Sequence, residues 1–112
     1  MGENPISRDE YIDKVLSAYR QTPGTAGTIR RPDRLLAAQL HERGVPLMAV
    51  DNALVLAAAR RMIRPAGSPP LGTIRSLAYF IPVIEEVLSL SVSPGYFQHL
   101  RQKIERLAPT PR

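Results

Sequence analysis

Residues 32–63, PDRLLAAQLHERGVPLMAVDNALVLAAARRMI, decide how this chain folds. Leu35, Leu36, Gln39, Leu40 and Arg43 recur at helical spacing, with Leu36 and Leu40 one turn apart. Pro32 is pre-shaped for the first turn of such a helix. Gly44 suits the position just past its end, where positive φ carries no steric cost for glycine. The spacing predicts a helix over 32–43. Pro46 follows after a very short turn and opens a second helix, predicted over 46–63. Its main stripe is Leu47, Val50, Leu54 and Ala57–Ala58, and Met48, Ala49, Ala53, Val55 and Leu56 spread apolar character around most of its circumference. A helix that is apolar nearly all round is a buried one. The pair therefore reads as a central helix-turn-helix-like hairpin whose second member lies in the core.

Working outward, Ser7-Arg8-Asp9-Glu10 fits a capping box, in which the Ser hydroxyl and the Glu carboxylate each satisfy a backbone N–H. Ile12, Val15, Leu16 and Tyr19 mark one face of a helix predicted over 7–21, ending before Pro23-Gly24. Residues 22–31, TPGTAGTIRR, form a Gly/Thr connector that ends in Arg30-Arg31. It lacks the GK[ST] ending of a phosphate-binding P-loop and the spacing of a dinucleotide fingerprint. On the other side, Pro65-Ala-Gly-Ser-Pro-Pro70 is a loop. Beyond it Ile74, Leu77, Ile81, Ile84 and Leu88 keep one helical phase through Pro82, which predicts a single kinked helix over 73–89. The alternative is a break at Phe80, with Pro82 opening a new helix. Ser93-Pro94 caps and starts a last helix over 94–107, with Phe97, Leu100, Ile104 and Leu107 inward and Pro109 and Pro111 beyond its end. No strand and no repeat is expected. The fold class is all-α: a compact bundle of about five helices in one domain, 1–112.

Composition agrees. A length of 112 residues suits one core, and 44% hydrophobic residues with 5% aromatics give a core of Leu, Ile, Val and Ala. The chain has no Cys, so disulfides and thiolate metal sites are excluded. The N-terminal MGENPISRDEYIDK has no apolar signal segment, and the longest mainly apolar run, Val45 to Ala59, is interrupted by Asp51 and Asn52 and is too short to span a bilayer. The expectation is a cytoplasmic chain without a membrane role.

Candidate chemistry is sparse. His41 and His99 stand apart, without carboxylate or His partners at metal-ligand spacing, and are expected at the surface. Glu85 and Glu86 are adjacent and so point about 100° apart on a helix, which excludes a shared carboxylate dyad. There is no serine elbow and no Asp cluster for magnesium. No catalytic residue, metal ligand or cofactor is assigned, and the chain is read as non-enzymatic.

Charge is the strongest functional signal. The net charge is +5, and nine arginines lie between residues 20 and 75 against Asp33, Glu42 and Asp51. A basic middle attracts polyanions, nucleic acid above all, although codon bias toward Arg is a competing source of the same charge. The candidate nucleic-acid-binding residues are Arg30, Arg31, Arg34, Arg60, Arg61, Arg64, Arg75, Arg101 and Lys103, acting on phosphates of nucleic acid, DNA in the first instance. Sequence-specific readout is not expected from the hairpin. The first turns of its second helix, Pro46-Leu47-Met48-Ala49-Val50, hold no Arg, Lys, Asn or Gln to read base edges.

Leu36, Leu40, Gly44, Val50, Ala53-Leu54 and Ala57, followed by Ser76-Leu77-x-Tyr79, make the stretch from Leu35 to Leu88 resemble the DnaD-like domain of bacterial replication-initiation and helicase-loading proteins. Tyr79, Val83 and Val87 stand where that family often has Tyr, Ile and Trp, and Pro82 interrupts the pattern. The resemblance implies a helical domain that associates with DNA and with a replication ATPase, without catalysis of its own. It also implies contacts near Tyr79 and at Arg101, Lys103 and Arg106. Two functions follow from the sequence. One is a DNA-associated accessory factor of replication or of a mobile element. The alternative is a protein–protein adaptor or regulator, acting as a homodimer or on a protein partner through the apolar surplus of helices three and four.

Overall fold

Ser7 starts the first helix through the serine half of the expected capping box. Its Oγ accepts the Glu10 N–H at 3.1 Å, and α1 runs Arg8–Gln21. The computed structural model describes residues 6–89 and 94–107. Within them follow α2 (Arg31–Glu42), α3 (Leu47–Met62), a 3₁₀ turn (Leu77–Phe80), α4 (Ile81–Ser89) and α5 (Pro94–Leu107). The described residues form an all-α bundle of five α-helices. The Ser93 cap, the side chains of Phe97 and Leu107 and the Pro109–Pro111 stop lie outside the described residues.

The central hairpin forms through backbone chemistry at Gly44. With φ at 75°, Gly44 donates to the His41 carbonyl at 3.0 Å, and Val45 donates to the Leu40 carbonyl at 3.1 Å. These are the two bonds of a Schellman motif, which satisfies the last carbonyls of a helix and reverses the chain. Tyr11 reinforces the turn from α1: its hydroxyl donates to the Val45 carbonyl at 2.8 Å, and its ring meets His41 edge-on at 5.1 Å. His41 is accordingly half-buried against Tyr11, not the surface residue expected, whereas His99 is exposed.

Helix α3 is the axis of the molecule. One side, with Val50, Ala53, Leu54 and Ala57, joins Tyr11, Val15 and Tyr19 of α1, Ala37 and Leu40 of α2, Leu77 and Phe80 of the 3₁₀ turn and Ile84 of α4. Its other side, with Val55, Leu56, Ala58 and Ala59, packs Leu100 and Ile104 of α5. Each large apolar side chain buried this way contributes on the order of 2 kcal/mol. The inward face of α2 is Asp33, Ala37 and Leu40, with Ala38 beside it. Leu35, assigned to that stripe from spacing, is 56% exposed.

The continuous helix expected over 73–89 does not form. Residues 73–76 are not helical, and Ile74 instead makes an isolated parallel bridge with Thr25. The Ser76 Oγ accepts the Ala78 N–H and starts the 3₁₀ turn, and α4 begins only at Ile81. Pro82 is therefore the second residue of a helix rather than a kink inside one. The 3₁₀ turn runs into α4 without a break, and the Ala78 carbonyl that an N–H at position 82 would face already accepts the Ile81 N–H, so the missing donor leaves no carbonyl unpaired. Among the described residues no helix is long and apolar enough to cross a membrane.

Candidate nucleic-acid interface

Two connectors, each empty of acidic residues, meet beside the start of α2. No Asp or Glu occurs between Asp13 and Asp33, and none between Asp51 and Glu85. Ala26 donates to the Ile74 carbonyl and Ile74 to the Gly24 carbonyl, both at 2.8 Å. Ile74 is buried beneath this seam. A few residues on, Asp33 ties the same two segments together. Its Oδ2 accepts the Arg30 N–H and its Oδ1 the Leu77 N–H, each at 2.9 Å. The carboxylate is 1% exposed, which is tolerable because its oxygens are occupied by backbone donors at a helix N-terminus. The acid that belongs to the seam is thus turned inward, and its function is structural.

Arginines surround the seam. Arg30 and Arg31 open α2, and Arg75 sits between Ile74 and Leu77, the two residues that bond across; all three are exposed. Arg61 reaches in from the last turn of α3. Its Nη2 donates to the Gly72 carbonyl at 2.6 Å and its Nη1 to the Tyr79 hydroxyl at 3.3 Å, with the guanidinium 5.7 Å from the centroid of that ring. Gly24 makes room for it. A Cβ at position 24, where φ is +95°, would lie 3.1 Å from Arg61 Nε. Arg64 donates to the Pro69 carbonyl at 2.8 Å and holds the following loop. These partners are carbonyls and a phenol, so Arg61 and Arg64 are positioned without being neutralised.

The other candidates lie elsewhere. Arg60 is held by Glu86 through two hydrogen bonds, Nη1 to Oε1 at 2.8 Å and Nη2 to Oε2 at 2.5 Å, and that pairing keeps the Glu86 carboxyl below its ordinary range. Arg34 lines a groove between α1 and α2 together with Asp9 and Asp13. Arg101 lines another, between the end of α1, α3 and α5, together with Asp51 and Glu105; Lys103 is half-buried on α5. Glu85 turns away from Glu86 and pairs with Arg43 at 2.8 Å, the divergence that adjacent helical positions impose.

Sequence reasoning missed two participants, Asp33 and Gly24, and named Tyr79 only through the resemblance. Asp33 could have been suspected as an acid in the first turn of a helix that opens with Arg-Arg-Pro. Gly24 acts through a contact that no local pattern announces; Tyr79 is 47% exposed, while the adjacent Phe80 is fully buried. Among the described residues no three His, Asp or Glu side chains gather as metal ligands. Comparison with known proteins finds no matching family model, no similar curated protein and no similar solved structure.

Proposed function

We propose that this protein is a non-enzymatic, DNA-associated protein that contacts phosphates in a sequence-tolerant way through Arg30, Arg31, Arg61, Arg64 and Arg75. The observation that carries the reading is the acid-free seam. Arg30, Arg31 and Arg75 are exposed on or beside two bonded connectors that contain no acidic residue, Arg61 and Arg64 are hydrogen-bonded onto the second of them, and the neighbouring acid, Asp33, is buried. Phosphate contacts of this kind supply affinity and position without reading bases. The resemblance to DnaD-like domains extends the reading to an accessory role in replication or in a mobile element. The adaptor alternative draws less support. The exposed large apolar side chains Leu35, Met48, Ile63, Leu71, Tyr79 and Leu88 are spread over separate segments, and scattered apolar exposure is ordinary.

The test is a fluorescence-anisotropy titration of labelled duplex and single-stranded DNA at several salt concentrations. Binding that weakens linearly in log–log form between about 50 and 200 mM salt is expected. No binding at low salt, or affinity indifferent to salt, would overturn the reading.

A further inference from the structure

We propose that the concavity between the Gly24 turn, the end of α3 and the following loop is a binding site for a phosphomonoester dianion, the terminal phosphate of a nucleic-acid strand. It measures about 240 Å³ and is lined by Pro23, Gly24, Arg61, Met62, Arg64 and Leu71, with no carboxylate on its wall. Pockets that hold whole small molecules run from about 300 to 1,000 Å³, so this one suits a group rather than a cofactor.

Both guanidinium groups are fixed before any ligand arrives. A guanidinium carries five N–H donors. The Gly72 carbonyl and the Tyr79 hydroxyl take donors of Arg61, and the Pro69 carbonyl takes one of Arg64. Those partners carry no charge, so both arginines that line the concavity keep their full positive charge, with donors to spare. Arginine in a fixed orientation is suited to bidentate recognition of phosphate oxygens. Gly24 contributes by absence, since a side chain there would press on Arg61.

The charge count selects the ligand. An internal phosphodiester carries one negative charge. A phosphomonoester, with a second pKa of about 6, carries nearly two at neutral pH and matches the pair. Its three terminal oxygens also offer more acceptors than a diester's two. Assigning the phosphate to a strand end rests on the nucleic-acid reading above, whereas the dianion site rests on the cavity alone.

The experiment titrates the protein with oligonucleotides of one sequence that end in either phosphate or hydroxyl, with inorganic phosphate and a mononucleotide as competitors. The phosphate-ended strand is expected to bind about tenfold more tightly near neutral pH, the scale of one charge-assisted hydrogen bond. That advantage shrinks as the pH falls through about 6 and the dianion takes up a proton. Arg64→Gln abolishes it, with thermal unfolding confirming an intact fold, and Arg75→Gln, outside the cavity, weakens both strands alike. If both strands bind equally, or the advantage survives Arg64→Gln, the cavity proposal fails while the broader phosphate reading stands. Should neither strand bind at low salt, both fail. Binding of the mononucleotide alone, with the same Arg64 dependence, would overturn the strand-end source.

Discussion

Asp33 shows how much one side chain can hold. Its two oxygens accept backbone N–H groups from positions 30 and 77, so one buried carboxylate caps α2 and anchors the 3₁₀ turn at once. Asp33→Ala leaves both donors without that acceptor, and a hydrogen bond to a charged group is worth about 1.5–3 kcal/mol. The expected loss is about 3 kcal/mol in denaturant unfolding, and Asp33→Asn, which sets an amide NH2 against one of the two N–H donors, should also destabilise. A loss below about 0.5 kcal/mol, the level of an ordinary surface change, would show that the pairing is incidental. Asp51 presents the opposite case. Burial raises its pKa above the ordinary 3.8, against the pull of Arg101 and Lys14. The folded state therefore holds the Asp51 proton more tightly than the unfolded state does. Its ionisation lowers stability as pH rises from 3.8 through the folded value, after which the cost is constant. Asp51→Asn should raise the melting temperature by a few degrees near pH 7 and leave it unchanged near pH 3. An equal change at both values would mean that packing, not ionisation, is responsible.

At the scale of elements, the sign of one substitution separates two descriptions of α4. A proline inside a helix removes a hydrogen bond and clashes with the preceding turn, at about 3 kcal/mol, so replacing it would stabilise. A proline in the first turn restricts the unfolded chain and disturbs nothing, so replacing it costs about 0.5–1 kcal/mol. Pro82 follows directly on Ile81, where α4 begins, and Pro82→Ala should therefore destabilise slightly in thermal or denaturant unfolding. Stabilisation would imply a longer helix reaching back toward Thr73. The same segment marks where local reading ends. Ser7, Gly44 and the apolar girth of α3 act within a few residues of themselves, so the hairpin and the first helix are legible from the sequence. Ile74 belongs to the helical phase of Leu77, Ile81 and Ile84 by spacing alone. What places it in the core is a pair of hydrogen bonds to Gly24 and Ala26, far away in the chain. Periodicity records that a residue is buried, and an extended segment crossing a helix can bury it equally well. Leu35 errs in the other direction: it stands among helically spaced leucines, yet it lines the open groove between α1 and α2 and stays exposed, while Ala37, Ala38 and Leu40 are buried.

Across the whole molecule, the quantity that matters is which charges remain uncompensated rather than how many there are. The sequence displays nine arginines between residues 20 and 75 and a net charge of +5. Folding divides them. Arg43 and Arg60 are matched by Glu85 and Glu86 on α4, while the arginines around the seam face carbonyls, a phenol or solvent. That division was hidden in the sequence, because the pairings join Arg43, at the end of α2, and Arg60, on α3, to residues of α4 far along the chain. It has a direct consequence for binding. Each phosphate neutralised on duplex DNA releases condensed counterions and adds about 0.9 to the slope of log affinity against log salt. Arg75→Gln and Arg60→Gln give proteins of identical net charge. If phosphates are met at the seam, Arg75→Gln should reduce the magnitude of the slope by about 0.9, because a contact is lost. Arg60→Gln should weaken binding only slightly and leave the slope where it was, since that guanidinium is already held by Glu86. Salt-dependent anisotropy titrations of the two variants decide the matter. Equal slope changes would mean that DNA responds to overall charge alone, and the seam would have no special part in the interaction.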